Sequence, residues 1–355
     1  MAKSEDTPVS DDAQMPALHV APSPHLSDTS FTTQRMMIDV LIGLSPAIVV
    51  SLVIFRWYVA VQLGLCIAAC MAAEALFTKM RGRNPQLHDL SAVVTGVVLG
   101  LSLPATAPPY IAIIGSFIAI GLGKVVFGGL GFNMFNPAMV GRAFVMLSFS
   151  AQMAAPAYIL PEDSKLLEFS PQVLTEATPL TVGKKFIADR EDEKPLDDLI
   201  PQVVKAGSVG PLFFGNTNGS LGETCALALL VGGVYLCVRR SASWEIPVGI
   251  LASVGLLAQL CYWADLTPFN GLQHLIGGAV LFGAFFIATD PVSSPLTPKG
   301  KLIFGVGVGL FIVLIRVLSG YPEGVMFAVL LMNAAVPLVN RWTVPTPLGG
   351  PTQTN

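Results

Sequence analysis

Four charged side chains lie in or beside apolar runs. Arg142 follows "NPAMVG", Asp290 stands in "IATDPVSSP", and Arg316 and Glu323 flank "VLSGYP". A charge at membrane depth is costly and marks an ion path, a counter-ion or a buried pair. Arg142, Asp290 and Glu323 are therefore ion-path candidates. Asp290 precedes Pro291, which leaves it two roles, cation binding or helix capping. Arg316 and Glu323 either pair with each other or leave Arg316 for a bound anion. Asn136 in "FNP" is expected to cap or kink a helix.

A second set of polar groups lies in "LTEATPLTVGKK", residues 174–185. On residue type alone, Thr178 is an ordinary loop hydroxyl and Lys184 and Lys185 a solvated pair. Cys66 and Cys70 share a helix face, a spacing that would suit a metal. Burial as small apolar side chains accounts for them more simply, so no metal centre is expected. His19, His25, His88 and His274 show no ligand spacing. No glycine-rich phosphate loop follows a strand pattern, so NAD is not expected to bind this chain. With no basic face and a net charge of −3, nucleic acid is not expected as a partner.

The elements that hold these groups must be membrane helices. Of 355 residues, 53% are hydrophobic and 12% charged, against about 25% charged in soluble domains. A spanning helix needs roughly 20 apolar residues. Ten segments approach this, at about 36–55, 58–78, 88–103, 110–126, 137–155, 223–238, 244–263, 272–289, 301–318 and 322–339. Two are short and end in the proline-rich runs "LSLPATAPPY" and "ATDPVSSPLTP". The expected organisation is a disordered acidic tail over 1–34, a five-helix half over 35–155, a long connection over 156–222, a second half over 223–340 and a tail over 341–355.

Orientation follows from Lys and Arg in the short loops. One set of alternate loops carries Lys79, Arg81, Arg83, Lys124, Arg239, Arg240, Lys299 and Lys301, and the other only Arg56. Both termini are then cytoplasmic, and residues 156–222 lie on the outer, periplasmic face. "TGVVLGLSLPATAPP" and "GGAVLFGAFFIATDPVSSP" share a layout. With five segments per half, the halves must be inverted. Interrupted helices in matching positions mark midplane sites in transporters.

"GSLGETCALALLVGGVYL", "SWEIPVG", "GAFFIATDPVSSPLTPKGKLIFGVGVG", "RVLSGYPEGVMFAVLLMNAAVPL" and "GFNMFNPAMVGRAF" together resemble the RnfD/NqrB family over roughly residues 35–342, with the shorter RnfD type the nearer match. The resemblance implies an all-α membrane fold of ten helices in two inverted halves, similar to urea transporters. It implies a subunit of an ion-translocating ferredoxin:NAD oxidoreductase of the inner membrane, not catalytic alone, which passes electrons as the complex moves Na⁺ or H⁺. The implied partners are the A, B, C, E and G subunits and a flavin transferase. The implied cofactor is FMN esterified through its phosphate to a threonine, with riboflavin a further flavin of related subunits.

The family signature is approximately Asp-x-Ser/Thr-Gly-Ala-Thr, modified at its last residue. Ala177 and Thr178 match its end and Thr175 its earlier hydroxyl, while Glu176 and Val173 depart from it. Thr178 is thus the expected acceptor, with Thr175 and Thr181 as fallbacks. Lys184 and Lys185 are expected near the phosphate, and Arg316 near the phosphate or the ring. An NqrB-like subunit feeding quinone, or a channel or solute transporter without redox role, would share the architecture.

Overall fold

The computed structural model describes residues 32–83, 87–105, 107–153, 157–159, 173–175, 177–192, 195, 197–215, 217, 219–321 and 323–345. In chain order the α-helices are α1 (Thr33–Phe55), α2 (Trp57–Met80), α3 (Ser91–Ser102), α4 (Pro109–Ile120), α5 (Pro137–Ser148) and α6 (Ser150–Met153). Then come α7 (Pro179–Glu191), α8 (Ile200–Ala206), α9 (Val209–Phe214), α10 (Ala226–Val238) and α11 (Glu245–Trp263). The last are α12 (Gly271–Ile276), α13 (Val280–Phe282), α14 (Pro298–Leu318) and α15 (Val325–Thr343). Five of them, α1, α2, α11, α14 and α15, are long and apolar enough to cross a membrane. Val53, Val231, Leu256 and Leu318 stand exposed on helix surfaces, as lipid-facing residues do.

Each expected apolar segment falls on a helix or a broken helix. The segment at 110–126 is α4 continued by one π-helical stretch, Gly121–Val125. The segment at 272–289 is broken into α12, α13 and a second π-helical stretch, Gly283–Ile287. The 156–222 connection is not a plain loop. It holds three helices, α7 to α9, and two short antiparallel strands, β1 (Ala157–Ile159) and β2 (Val173–Thr175), with Tyr158 opposite Leu174. The tail expected over 1–34 ends earlier than its residues imply, because α1 starts at Thr33 and Thr32 caps it. The rest of that tail, and residues 346–355 of the C-terminal one, lie outside the described residues.

Packing repeats itself along the chain. Helix α2 packs on α3 and α4, and α4 on α5; likewise α11 packs on α12 and α14, and α14 on α15. The two sets meet where α5 lies against α15, and α1 lies against α10. Small residues let these backbones approach, as in other membrane helix pairs. A Cβ at Gly232 of α10 would overlap the Gly43 carbonyl oxygen of α1, whereas one at Gly64 meets nothing within 4 Å. Gly232→Ala is expected to cost about 1–3 kcal/mol through overpacking. A melt of the detergent-solubilised protein should show a lowered midpoint for Gly232→Ala and none for Gly64→Ala.

Lys124 corrects the loop count. The π-helical stretch keeps it inside the helix, 2% exposed, with Nζ 2.5 Å from Glu74 Oε1 and 2.6 Å from Ser91 Oγ. A buried lysine needs such a partner, and Glu74 of α2 supplies it.

Candidate functional site

Non-helical backbone at membrane depth must find its hydrogen bonds within the protein. The end of α3 does so against the segment before α10: Gly222 N donates to Leu101 O at 2.7 Å and Leu221 N to Leu103 O at 3.2 Å. The break between α12 and α13 does so through charged side chains. Arg316 of α14 donates to His274 O at 2.8 Å and Gly277 O at 3.0 Å. Beyond the break, Ala279 N donates to Glu323 Oε1 at 2.6 Å. Gly278 turns the chain with φ +72, and a Cβ there would press on both Arg316 and Glu323.

Two more charges complete a buried quartet. Arg142 of α5 places Nη2 3.4 Å from Glu223 Oε1 and 3.3 Å from Glu323 Oε2, and Arg316 Nη2 lies 3.8 Å from Glu323 Oε1. Of the two alternatives for Arg316, the pair with Glu323 is present, but Glu323 lies closer to Arg142. Two arginines face two carboxyl groups. The quartet ties α5, the segment before α10, α14 and the turn before α15 around the α12–α13 break.

Glu223 was missed as a candidate in the sequence. Its position in "GSLGETCALALL", one turn before an apolar run, reads as a helix start. An acid beside an apolar segment was the available signal, the same one that singled out Glu323.

Thr178 opens onto the quartet. It is the N-cap of α7: its Oγ1 accepts from Thr181 N at 3.3 Å and lies 2.8 Å from Thr181 Oγ1. Proline at the first helical position fixes this start. Thr178 lines a cavity of about 340 Å³ together with Arg142, Glu223, Glu323, Ser220 and Tyr321, within the usual size of ligand pockets. Arg142 Nε and Ser220 Oγ are buried on this cavity without a hydrogen-bond partner among the described residues. Thr175 and Glu176 add no test of the signature, because the Thr175 side chain and Glu176 lie outside the described residues.

Lys184, Lys185 and Arg316 line a separate cavity of about 450 Å³, which shares Leu180, Thr181 and Gly320 with the first. Lys184 Nζ donates to Ser319 O. Asp290 lies elsewhere again. Its carboxylate accepts from Val292 N at 3.2 Å and Ser293 Oγ at 2.9 Å, a turn-capping arrangement. It lines a cavity of about 90 Å³ with Lys124, Asn133 and Asn136. The structure thus joins Arg142 with Glu323 and leaves Asp290 apart from both. Asn136 caps α5 as expected, its side chain accepting from Met139 N, and it also donates to Ile287 O at 3.2 Å across to the second broken segment.

Apolar helices, paired interruptions and buried charges around a cavity mark a multi-pass membrane protein. Within that class, the chain belongs to the NQR2, RnfD, RnfE family, whose model matches residues 19–349. It is 37% identical to the D subunit of the ion-translocating oxidoreductase complex of Haemophilus influenzae (strain PittEE), over 93% of this chain and 98% of that one. It is also 37% identical to the D subunit of the Na(+)-translocating ferredoxin:NAD(+) oxidoreductase complex of Acetobacterium woodii, over 92% of this chain and 93% of that one. With the D subunit of the ion-translocating oxidoreductase complex of Stutzerimonas stutzeri the identity is 39%, over 90% and 92%.

Proposed function

We propose that this chain is the D-type membrane subunit of an ion-translocating oxidoreductase complex of the Rnf kind. On this reading it carries FMN on Thr178 and works only within the complex, beside its A, B, C, E and G subunits. Ten spans form two inverted halves in the inner membrane, with both termini in the cytoplasm. The observation that carries the reading is the Thr178 hydroxyl, held at a helix N-cap on the wall of a cavity with buried, unpartnered donors.

The residues present fit the flavin. A phosphoester on Oγ1 would lie at the N-terminus of α7, where the helix dipole favours an anion. A cap position precedes the helix, so a transferase meets an extended backbone there. When bound, FMN supplies one- and two-electron carriage. Arg142 Nε and Ser220 Oγ are the donors proposed for it, and Met146, Leu212 and Tyr321 also line the cavity. Arg142 and Glu323 on one side, and Asp290 on the other, are the charges proposed for ion passage. Arg316 acts on the cavity through Glu323 and the helix break.

Mass spectrometry of the peptide over residues 166–184, from cells with an active flavin transferase, tests this directly. An adduct of about 438 Da, FMN less water, is expected on Thr178, since such a modification adds its own mass. An unmodified peptide would favour a channel or solute transporter. The orientation has its own test. A cysteine at Asp198 should react with an impermeant reagent only from the periplasm, and one at Arg81 only from the cytoplasm; both positions are exposed. Reversed labelling would overturn the proposed topology.

A further inference from the structure

The 450 Å³ cavity carries a charge pattern that the flavin reading does not use. Lys184, Lys185 and Arg316 line it, and no carboxylate lines it among the described residues, in a chain of net charge −3. Lys184 is half-buried, and burial holds its ammonium below the usual lysine range. The ammonium has three donors, and the Ser319 carbonyl takes one of them. Arg316 is 4% exposed, and its Nε has no hydrogen-bond partner among the described residues. A buried cationic donor left open calls for an acceptor.

Beside the polar Thr181, Thr267, His274 and Ser319, the wall has an apolar side made of Ile187, Leu266, Phe269 and Val317. The cavity lies where α14 ends and where α11 gives way to its following turn. Beside it Leu318 and Trp263 are 77% and 71% exposed. An exposed tryptophan at the end of an apolar helix marks the lipid–water interface.

We propose that this cavity seats the phosphate of an anionic phospholipid, with Lys184 and Lys185 on the phosphate oxygens and the acyl chains leaving past Leu266 and Leu318. Both parts of the wall are then used. A soluble phosphate would leave the apolar side unmatched. A zwitterionic lipid would bring a second cation to a wall that already holds three. The inference does not rest on the flavin reading, because none of these contacts involves Thr178.

The test uses the full chain in detergent, produced without flavin transferase and stripped of lipid, so that failure of the flavin reading leaves it untouched. Its melting midpoint is followed with phosphatidylglycerol, phosphatidylcholine or inorganic phosphate, since a ligand of the folded state raises the midpoint. Phosphatidylglycerol should raise it by several degrees and the other two should not. The Lys184→Gln/Lys185→Gln double variant should lose that shift. Lys185→Gln alone, at an exposed position, should fold normally and show a reduced shift. Retention of the full shift in the double variant, or an equal response to phosphatidylcholine, would overturn the proposal. An equal shift with inorganic phosphate would hand the cavity to a soluble phosphate and also overturn it. So would no lipid response together with loss of complex assembly in the double variant, which would mark the cavity as the seat of an acidic protein segment.

Discussion

Thr178→Val is expected to abolish covalent flavin while leaving an inserted, folded chain. A phosphoester needs the hydroxyl oxygen, and valine keeps the shape without it. The structural cost is one helix cap, about 1 kcal/mol, because Oγ1 bonds only within the first turn of α7 among the described residues, to Thr181 N and Thr181 Oγ1. Flavin fluorescence of the denatured chain on a gel should vanish, and electron transfer through the assembled complex should vanish with it. Thr181→Val should keep the label: Thr181 lies inside the first turn of α7, where the helical backbone is closed to a transferase. Thr178→Ser retains both the cap and an acceptor and should be labelled at least in part. Full labelling of Thr178→Val would move the ester to another hydroxyl and refute the assignment.

Arg142→Leu should do the opposite, damaging the fold rather than a single bond. Its guanidinium pairs with both Glu223 and Glu323, and all three side chains are largely buried. Removing one partner of a buried ion pair costs about 3–5 kcal/mol, because the charge left behind has no water to turn to. Glu323 also holds Ala279 N at the helix break, so the loss should spread to the α12–α13 turn. The expected result is a large drop in melting midpoint and in yield of the complex. Adding Glu223→Gln to Arg142→Leu removes one of the stranded charges and should recover part of the loss, a coupling that a double-mutant cycle measures. Equal stability of Arg142→Leu and the natural protein would show that the carboxylates are not charged together.

The sequence by itself determined what depends on local composition. Apolar length marked where helices or broken helices lie, and Pro and Gly runs marked where helices stop. Residue type picked out Arg142, Arg316 and Glu323, because a charge beside an apolar run is conspicuous wherever it later points. Asn136 was legible for the same reason: an Asn-Pro step starts a helix whatever surrounds it.

The tertiary structure decided what depends on distance across the chain. Lys124 reads as a loop base until Glu74, fifty residues earlier, closes on it at 2.5 Å. Glu223 reads as a helix start until Arg142 reaches it from α5. Lys184 and Lys185 stand six and seven residues from Thr178, which looks close in the sequence. Nearly two helical turns instead carry them to a different cavity, since each residue of a helix advances about 1.5 Å and rotates the side chain about the axis. Spacing along the chain says which groups can share a helix face. Only the packing of α5, α7 and α14 around one helix break settles which of them meet.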